Sequence, residues 1–178
     1  MTKILGLDVS SSCTGYCIVC DGYLDLNSLG TIEPPSDLTV GEKLVYFEKA
    51  VKKLIKKFQP DDVMIEDIFK GPNAKTFKLL AMFRGVAFKT IQEKLKKDPE
   101  SVMPTEARSR VGVIGGKKEN AFAWVIEKYN FKDFTFNKHN DICDGIILAL
   151  SYFSPQIGPT SKKKAKNKRK SDEIKEQI

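Results

Sequence analysis

Four carboxylates stand at the ends of short apolar runs in this chain of 178 residues. Asp8 and Glu66 each close a run typical of a buried strand, while Asp141 and Asp144 lie three residues apart before the apolar run 146–150. Acids at the ends of buried segments are costly unless a positive partner neutralises them. Mg²⁺ takes oxygen ligands of this kind, and metal ions held by shared acids suit the hydrolysis of phosphodiesters. The sequence therefore predicts a carboxylate metal site.

Hydrophobic periodicity predicts an alternation of strands and helices. The strands are expected at 3–9, 16–20, 23–32, 62–67 and 101–103, and the helices at 40–58, 74–96, 117–129 and 140–153. Asp21 and Gly22 form a strong hairpin signal. An antiparallel meander followed by alternating helices and strands predicts an α/β fold, with a mixed five-stranded sheet flanked by helices.

This layout is expected to bring the four acids together. The first and fourth strands should be parallel neighbours, which puts Asp8 and Glu66 side by side at the edge where open α/β sheets bind ligands. Asp141 and Asp144 should share one face of the first turn of the last helix, with Asn140 as its N-cap. The positive end of that helix would then stabilise both anions.

Positive charge is concentrated towards the end of the chain. The net charge is +7, and residues 161–178 hold eight Lys or Arg against three Asp or Glu, so +5 lies there and +2 elsewhere. We expect one folded domain at 1–156 and a basic, disordered tail at 157–178. A polyanionic partner, nucleic acid first, fits this distribution, and simple solvation of the tail is the alternative.

The sequence predicts no targeting or membrane segment. Asp8 interrupts the first apolar stretch, unlike in a signal peptide, and no run approaches the roughly 18 apolar residues of a membrane helix. Cys17 and Cys20 have the pattern of buried strand thiols, which favours a reducing compartment, the cytoplasm or its equivalent in an infected host cell. A zinc site that adds Cys13 and His139 is less favoured, because no knuckle turn separates the strand cysteines.

Four segments together resemble the RuvC-type Holliday junction resolvases of the RNase H-like (retroviral integrase) superfamily. They are Leu-Gly-Leu-Asp-Val-Ser at 5–10, Thr-Gly at 14–15, Ile-Glu at 65–66 and Asp-Ile-Cys-Asp at 141–144, in the family's order over residues 4–149. The resemblance implies an RNase H-like fold and a homodimer that nicks four-way DNA junctions symmetrically, leaving a 5′-phosphate and a 3′-hydroxyl. It also implies a pair of Mg²⁺ ions in each active site, replaceable by Mn²⁺, and no nucleotide cofactor.

The resemblance also assigns roles to individual residues. It makes metal ligands and catalytic residues of the four acids, Asp8, Glu66, Asp141 and Asp144. The DNA contacts that it suggests are Phe69, Lys70, Arg108, Arg110, Lys117 and Lys118. Departures from the usual bacterial pattern, at Gly145 and in the segment 70–73, suit a phage or viral member.

A resolvase must place two active sites on one junction, which a two-fold dimer does by symmetry. We expect the dimer to form through the long helix at 74–96. Its apolar stripe is broad enough to serve both the core and a partner, and comprises Phe77, Leu80, Phe88 and Ile91.

Two other classes of protein stay open at this point. An actin-like phosphotransferase also ends its opening strand in an acid followed by Ser, Thr and Gly, but it needs a second domain that closes over ATP. A non-catalytic nucleic-acid-binding protein could keep the same fold, although four acids would repel phosphates in the absence of metal. Metal-dependent nicking of DNA separates the three alternatives.

Overall fold

The structure is a computed structural model, and it describes residues 1–68 and 73–154. The strands of this part of the chain are β1 (Lys3–Asp8), β2 (Thr14–Cys20), β3 (Tyr23–Leu24), β4 (Gly30–Ile32), β5 (Asp62–Glu66) and β6 (Glu100–Val102). Its helices are α1 (Val40–Phe58), α2 (Ala74–Leu95), α3 (Pro104–Val111), α4 (Lys118–Tyr129) and α5 (Phe136–Phe153). The predicted tail at 157–178 lies outside the described residues, as do Phe69 and Lys70.

The strands form one mixed sheet in the order β3-β2-β1-β5-β6, with β4 also paired to β2. β1 runs antiparallel to β2 and parallel to β5, and β5 runs parallel to β6. The predicted α/β fold with a mixed sheet is therefore confirmed. The parallel pairing of β1 with β5 brings the ends of both strands to the same edge of the sheet.

The sheet has six strands rather than five because the predicted strand at 23–32 is split. A 3₁₀ turn at Leu26–Ser28 separates β3 from β4. The Ser28 hydroxyl accepts a hydrogen bond from the Ile18 backbone N–H at 2.8 Å and lies 2.6 Å from the Asp25 carbonyl, to which it donates. The Ser28 side chain thus accepts the hydrogen bond that the Ile18 N–H of β2 would otherwise donate to the backbone of a continuous neighbouring strand.

Helices cover both faces of the sheet, since successive strand residues point to opposite sides. On one face Leu5, Leu7 and Ile65 pack against α1 and α2, where the rings of Phe47 and Phe83 lie 5.3 Å apart. The opposite face packs against α3, α4 and α5. The last helix, α5, is buried along most of its length from Ile142 onwards. Its acids are therefore fixed against the sheet.

Close backbone contact sets the position of α5 over the first hairpin. A Cβ atom at Gly15 would collide with the Asp141 carbonyl, and one at Gly6 would collide with the Gly145 carbonyl. Gly145 itself faces the Gly15 backbone. A Cβ atom added at Gly145 would lie 3.2 Å from the Gly15 carbonyl oxygen. Glycine at these positions lets the helix approach the sheet, and this approach brings Asp141 beside the end of β1.

The start of α5 differs from the prediction. The helix begins at Phe136 with Thr135 as its N-cap residue, so Asn140 is not a cap and Asp141 is not in the first turn. The Thr135 N–H donates to Nδ1 of His139 at 2.9 Å, and this bond stabilises the first turn of the helix. Asn140 instead donates its side-chain N–H to the Phe136 carbonyl, within the helix. The expected stabilisation of the acids by the helix N-terminus does not apply, because that effect is confined to the first turn.

Candidate active site

Two acids of the site come from the ends of adjacent parallel strands. Asp8 is the last residue of β1 and Glu66 is the last residue of β5, and the residues before them, Leu7 and Ile65, pair directly. Asp8 is only 7% exposed, and Glu66 is partly buried. The predicted placement of both acids at one edge of the sheet is what the strand register requires.

The other two acids come from α5, which crosses the same edge. Asp144 is 5% exposed and Asp141 is partly buried. Burial raises the pKa of Asp8 well above its ordinary value, and the negative charges of Glu66, Asp144 and Asp141 contribute to the rise. Each of the four acids is therefore close enough to take part in a single electrostatic cluster.

The ammonium group of Lys118, the first residue of α4, lies among three of these acids. Its Nζ atom is 2.9 Å from Asp144 Oδ2, 3.7 Å from Asp141 Oδ1 and 4.0 Å from Asp8 Oδ2. Burial acts to lower the pKa of Lys118, but the three carboxylates outweigh it and raise the pKa above its ordinary value. A positive charge thus offsets part of the repulsion within the cluster.

Arg108 of α3 is the second cation at the site, and it is buried. Its guanidinium donates to Asp144 Oδ1 at 3.2 Å and to the Gly116 carbonyl at 2.7 Å. One side chain therefore fixes a carboxylate of the cluster and the loop that leads into α4. The DNA contact that the family resemblance suggests for Arg108 stays a prediction, and the burial of the guanidinium disfavours it.

Glu66 keeps an affinity for protons into the neutral range. Burial and then the negative charge of Asp144 raise its pKa to about 7, against opposing effects of Lys118 and Arg108. A group of this kind readily exchanges a proton for another cation near neutral pH. The cluster is thus short of positive charge even with both basic side chains in place.

The donor set fits a divalent cation in its chemistry. Carboxylate oxygens are the ligands that Mg²⁺ prefers, and the buried Asp144 Oδ2 already has a cation, the Lys118 ammonium, at 2.9 Å. In residues 1–68 and 73–154, however, no three His, Cys, Asp or Glu side chains are grouped closely enough to hold a metal ion as they stand. The Lys118 ammonium lies where their charges converge.

The remaining predicted DNA contacts lie apart from the acids or beyond the described chain. Arg110 is mostly buried and pairs with Glu106 of the same helix at 2.6 Å, and Lys117 is exposed at the start of α4. Phe69 and Lys70 fall outside the described residues, so their DNA contacts stay predictions.

The cysteines do not support the alternative zinc site. The Cys13 thiol lies 3.8 Å from Glu33, Cys17 is buried against the Gly145 carbonyl, and His139 stacks on Phe134 with ring centres 4.3 Å apart. Burial and nearby Asp141 raise the pKa of Cys13 to about 12, which disfavours the thiolate that zinc requires. His139 instead accepts a hydrogen bond from the Thr135 N–H at the start of α5.

The pairing of two basic residues with the acids was not predicted. The resemblance suggested Arg108 and Lys118 as DNA contacts, whereas the structure pairs both with Asp144. Their partner Asp144 is 36 residues from Arg108 along the chain, so no local pattern could reveal the pairing. The helix α3 was also missed, although Pro104 at its first turn and Gly112 at its end are recognisable signals.

Comparison with known proteins places these features in context. The family model for crossover junction endodeoxyribonuclease RuvC matches residues 4–152. The RuvC protein of Dictyoglomus thermophilum is 28% identical over 158 residues, which are 87% of this chain and 98% of that protein. The RuvC protein of Acidobacterium capsulatum is 37% identical over 94 residues, covering 48% of this chain and 55% of its own.

Solved structures with the same fold share little sequence with the chain. Thermus thermophilus RuvC in complex with a Holliday junction substrate aligns with a TM-score of 0.71 at 14% identity, over 85% of this chain and 92% of that one. The yeast mitochondrial Holliday junction resolvase aligns with a TM-score of 0.59 at 13% identity, over 85% and 78% of the two chains. These likenesses show that the fold is shared.

Proposed function

Because the chain belongs to the RuvC family and is a crossover junction endodeoxyribonuclease, we propose that it resolves four-way DNA junctions at its acidic cluster. The observation that carries the proposal is the convergence of four carboxylates from β1, β5 and α5 on one edge of the sheet. The raised pKa values of Asp8 and Glu66 mean that this edge favours bound positive charge. Such a site suits a reaction that needs cations beside a phosphodiester.

The nuclease family implies dependence on divalent metal, and we propose Mg²⁺ as the ion, with Mn²⁺ as a substitute. Asp8, Glu66, Asp141 and Asp144 would hold it, in the two-ion arrangement inferred from the sequence. Bound divalent ions supply a nucleophilic water at neutral pH and stabilise the charge on the leaving oxygen. No covalent enzyme intermediate is needed.

Arg108 acts on this site by positioning Asp144. Its guanidinium holds the Oδ1 atom, which leaves Oδ2 for the Lys118 ammonium, the group that also contacts Asp8 and Asp141. Because both side chains are buried, Asp144 has little freedom to turn away. A carboxylate fixed in this manner loses little conformational entropy when it binds a cation.

Lys118 has a different part, since its side chain is 47% exposed and can leave the carboxylates. We expect its ammonium to stay among Asp8, Asp141 and Asp144 in metal-free protein and to turn towards solvent when divalent cations bind. In that second position it would face the phosphates of the DNA backbone. The same lysine would therefore stabilise the free site and attract the substrate to the loaded one.

The paired cuts of a junction require two active sites, and we propose a homodimer formed through α2. Ile91 is fully buried in the core, but Phe77, Leu80 and Phe88 of the predicted stripe are only partly covered. Arg84, whose guanidinium lies 4.6 Å from the Phe88 ring centre, also donates to the Glu66 carbonyl at 3.3 Å. Contact at this face would thus be connected to the strand that carries Glu66.

Sedimentation velocity at micromolar concentration tests the dimer, and a monomer that still makes paired nicks contradicts it.

The substrate is tested with purified full-length protein on labelled four-way, three-way, flap and linear DNA of matched sequence. We expect symmetric nicks in the four-way junction with Mg²⁺ or Mn²⁺ and none with EDTA, and products that carry a 5′-phosphate and a 3′-hydroxyl. Religation of the nicks by DNA ligase reports these ends. Equal cutting of linear and four-way DNA would contradict the proposal, as would binding of junctions without metal-dependent nicking.

A further inference from the structure

An isoleucine projects into solvent from the loop that joins α3 to α4. Ile114 is 91% exposed, more than any other large apolar side chain in the described part of the chain. The glycines on either side, Gly112 and Gly115, have φ angles of +87° and +88°. These are left-handed conformations that favour glycine, so the loop turns sharply around the isoleucine and presents it outwards.

The backbone of this loop is held on both sides of the exposed side chain. Asn120 Nδ2 donates to the Ile114 carbonyl at 2.9 Å, and Arg108 donates to the Gly116 carbonyl at 2.7 Å. A Cβ at Gly115 would collide with the Asn120 amide, which shows how closely that side chain closes over the turn. Single exposed apolar residues are common on protein surfaces, but this one stands on a braced support.

The support is continuous with the acidic cluster. The guanidinium of Arg108 that holds Gly116 also holds Asp144, and Lys118, two residues further on, contacts the same acid. Ile114 is two residues from Gly116, at most about 7 Å of extended chain. Lys118, whose ammonium contacts the acids, is four residues from Ile114, at most about 14 Å of extended chain. Since successive nucleotides of a DNA strand are about 3.4 Å apart along the helix axis, Ile114 can reach bases within a few steps of the phosphate under attack.

We propose that Ile114 is a wedge that inserts between neighbouring bases of the branched DNA beside the strand to be cut. The inference rests on the proposed junction-cutting function. Apolar side chains such as isoleucine insert between base steps and unstack them in proteins that bend DNA. Unstacking costs least where pairing is already interrupted, as at the branch of a junction. Insertion would therefore favour placement of the branch next to the acids.

The test uses four-way junctions that carry 2-aminopurine near the branch, with Ca²⁺ in place of Mg²⁺ so that binding is observed without cutting. 2-Aminopurine becomes brighter when it is unstacked. Wild-type protein should brighten the probe, whereas Ile114→Ala should lose most of that signal and bind about tenfold more weakly, equivalent to about 1.4 kcal/mol. Its thermal unfolding should be unchanged because the side chain is solvent-exposed. Ile114→Leu, which keeps the apolar volume, should restore both the signal and the affinity.

Val45→Ala is the matched control, because Val45 is a β-branched residue that is 49% exposed on α1. It should behave as wild type in every measurement. Full retention of the fluorescence change and affinity by Ile114→Ala would overturn the wedge while leaving the nuclease function intact. If Ile114→Ala brightens the probe normally but sediments differently from wild type, Ile114 contacts another protein molecule rather than DNA, and the wedge is equally overturned. Failure of the wild-type protein to bind or cut any branched DNA would overturn the proposed function, and the wedge with it.

Discussion

Replacement of Lys118 by methionine should destabilise the metal-free protein and leave the metal-loaded protein almost unaffected. Methionine keeps much of the length of the lysine stem but removes the ammonium that lies 2.9 Å from Asp144. Without it, the acids of the cluster retain Arg108 as their buried cation. The repulsion between the carboxylates then opposes folding unless another cation takes the place of the lysine.

The size of the effect follows from the distance and the exposure of the pair. At an effective dielectric constant of about 20, charges 2.9 Å apart attract by about 6 kcal/mol before solvation is counted. Because the Lys118 side chain is 47% exposed, the net loss should fall between the value of about 1 kcal/mol for surface pairs and that of about 3–5 kcal/mol for broken buried pairs. We expect about 2 kcal/mol, which lowers the unfolding temperature of a domain of this size by about 4–8 °C.

Thermal unfolding in EDTA and in Mg²⁺ measures this loss of stability directly. The proteins compared are wild type, Lys118→Met and the neighbouring control Lys117→Met. Lys117→Met should match wild type in both buffers. Mg²⁺ should stabilise Lys118→Met more than wild type and bring the two proteins close together. Equal stability of Lys118→Met and wild type in EDTA, or an equal gain from Mg²⁺ in both, would refute the idea that the lysine occupies the cation position.

Three further results are expected. Gly15→Ala should lower the free energy of unfolding by about 1–3 kcal/mol in urea because its Cβ collides with the Asp141 backbone, whereas Gly41→Ala, with open space around it, should unfold no more easily than wild type. In EDTA, stability should fall as the pH rises from about 4.5 to about 7, since Glu66 binds its proton more tightly in the folded state; a pH-independent stability across that window in urea titrations would contradict the raised pKa. Truncation after Ile157 should weaken binding to junctions and linear duplex alike. The slope of log K against log salt concentration should become shallower by about 0.9 for each phosphate that the tail would otherwise neutralise. An unchanged slope would mean that the tail does not neutralise DNA phosphates.

The parts of the fold that were predictable are those specified by local pattern. The apolar runs that end in Asp8 and Glu66 gave the right strands, and the alternation of strands and helices gave the parallel pairing that puts these acids side by side. The helices α1 and α2 were also found within one residue at each end, because their apolar residues recur at helical spacing. Periodicity reports what each element must bury, and burial determines most of this architecture.

Apart from α3, the features that were missed depend on single polar contacts. The hydroxyl of Ser28 divides one expected strand into two, and the His139 ring supports a helix start before the expected cap at Asn140. The pairing of Arg108 with Asp144 joins residues that are far apart in sequence. Each of these is a specific hydrogen bond whose partner is fixed by the folded chain, so composition and periodicity carry no signal for it.

The central claim, that the four acids form the metal-dependent cutting site, is tested most directly by Asp8→Asn on a labelled four-way junction in Mg²⁺. Asparagine keeps the shape of the side chain but removes the charge that would hold the cation. We expect no detectable cleavage and junction binding as tight as wild type or tighter, because one negative charge facing the phosphates is removed. Asp37→Asn, at an exposed position before α1, should cut as wild type does. Cleavage by Asp8→Asn at the wild-type rate would contradict the account.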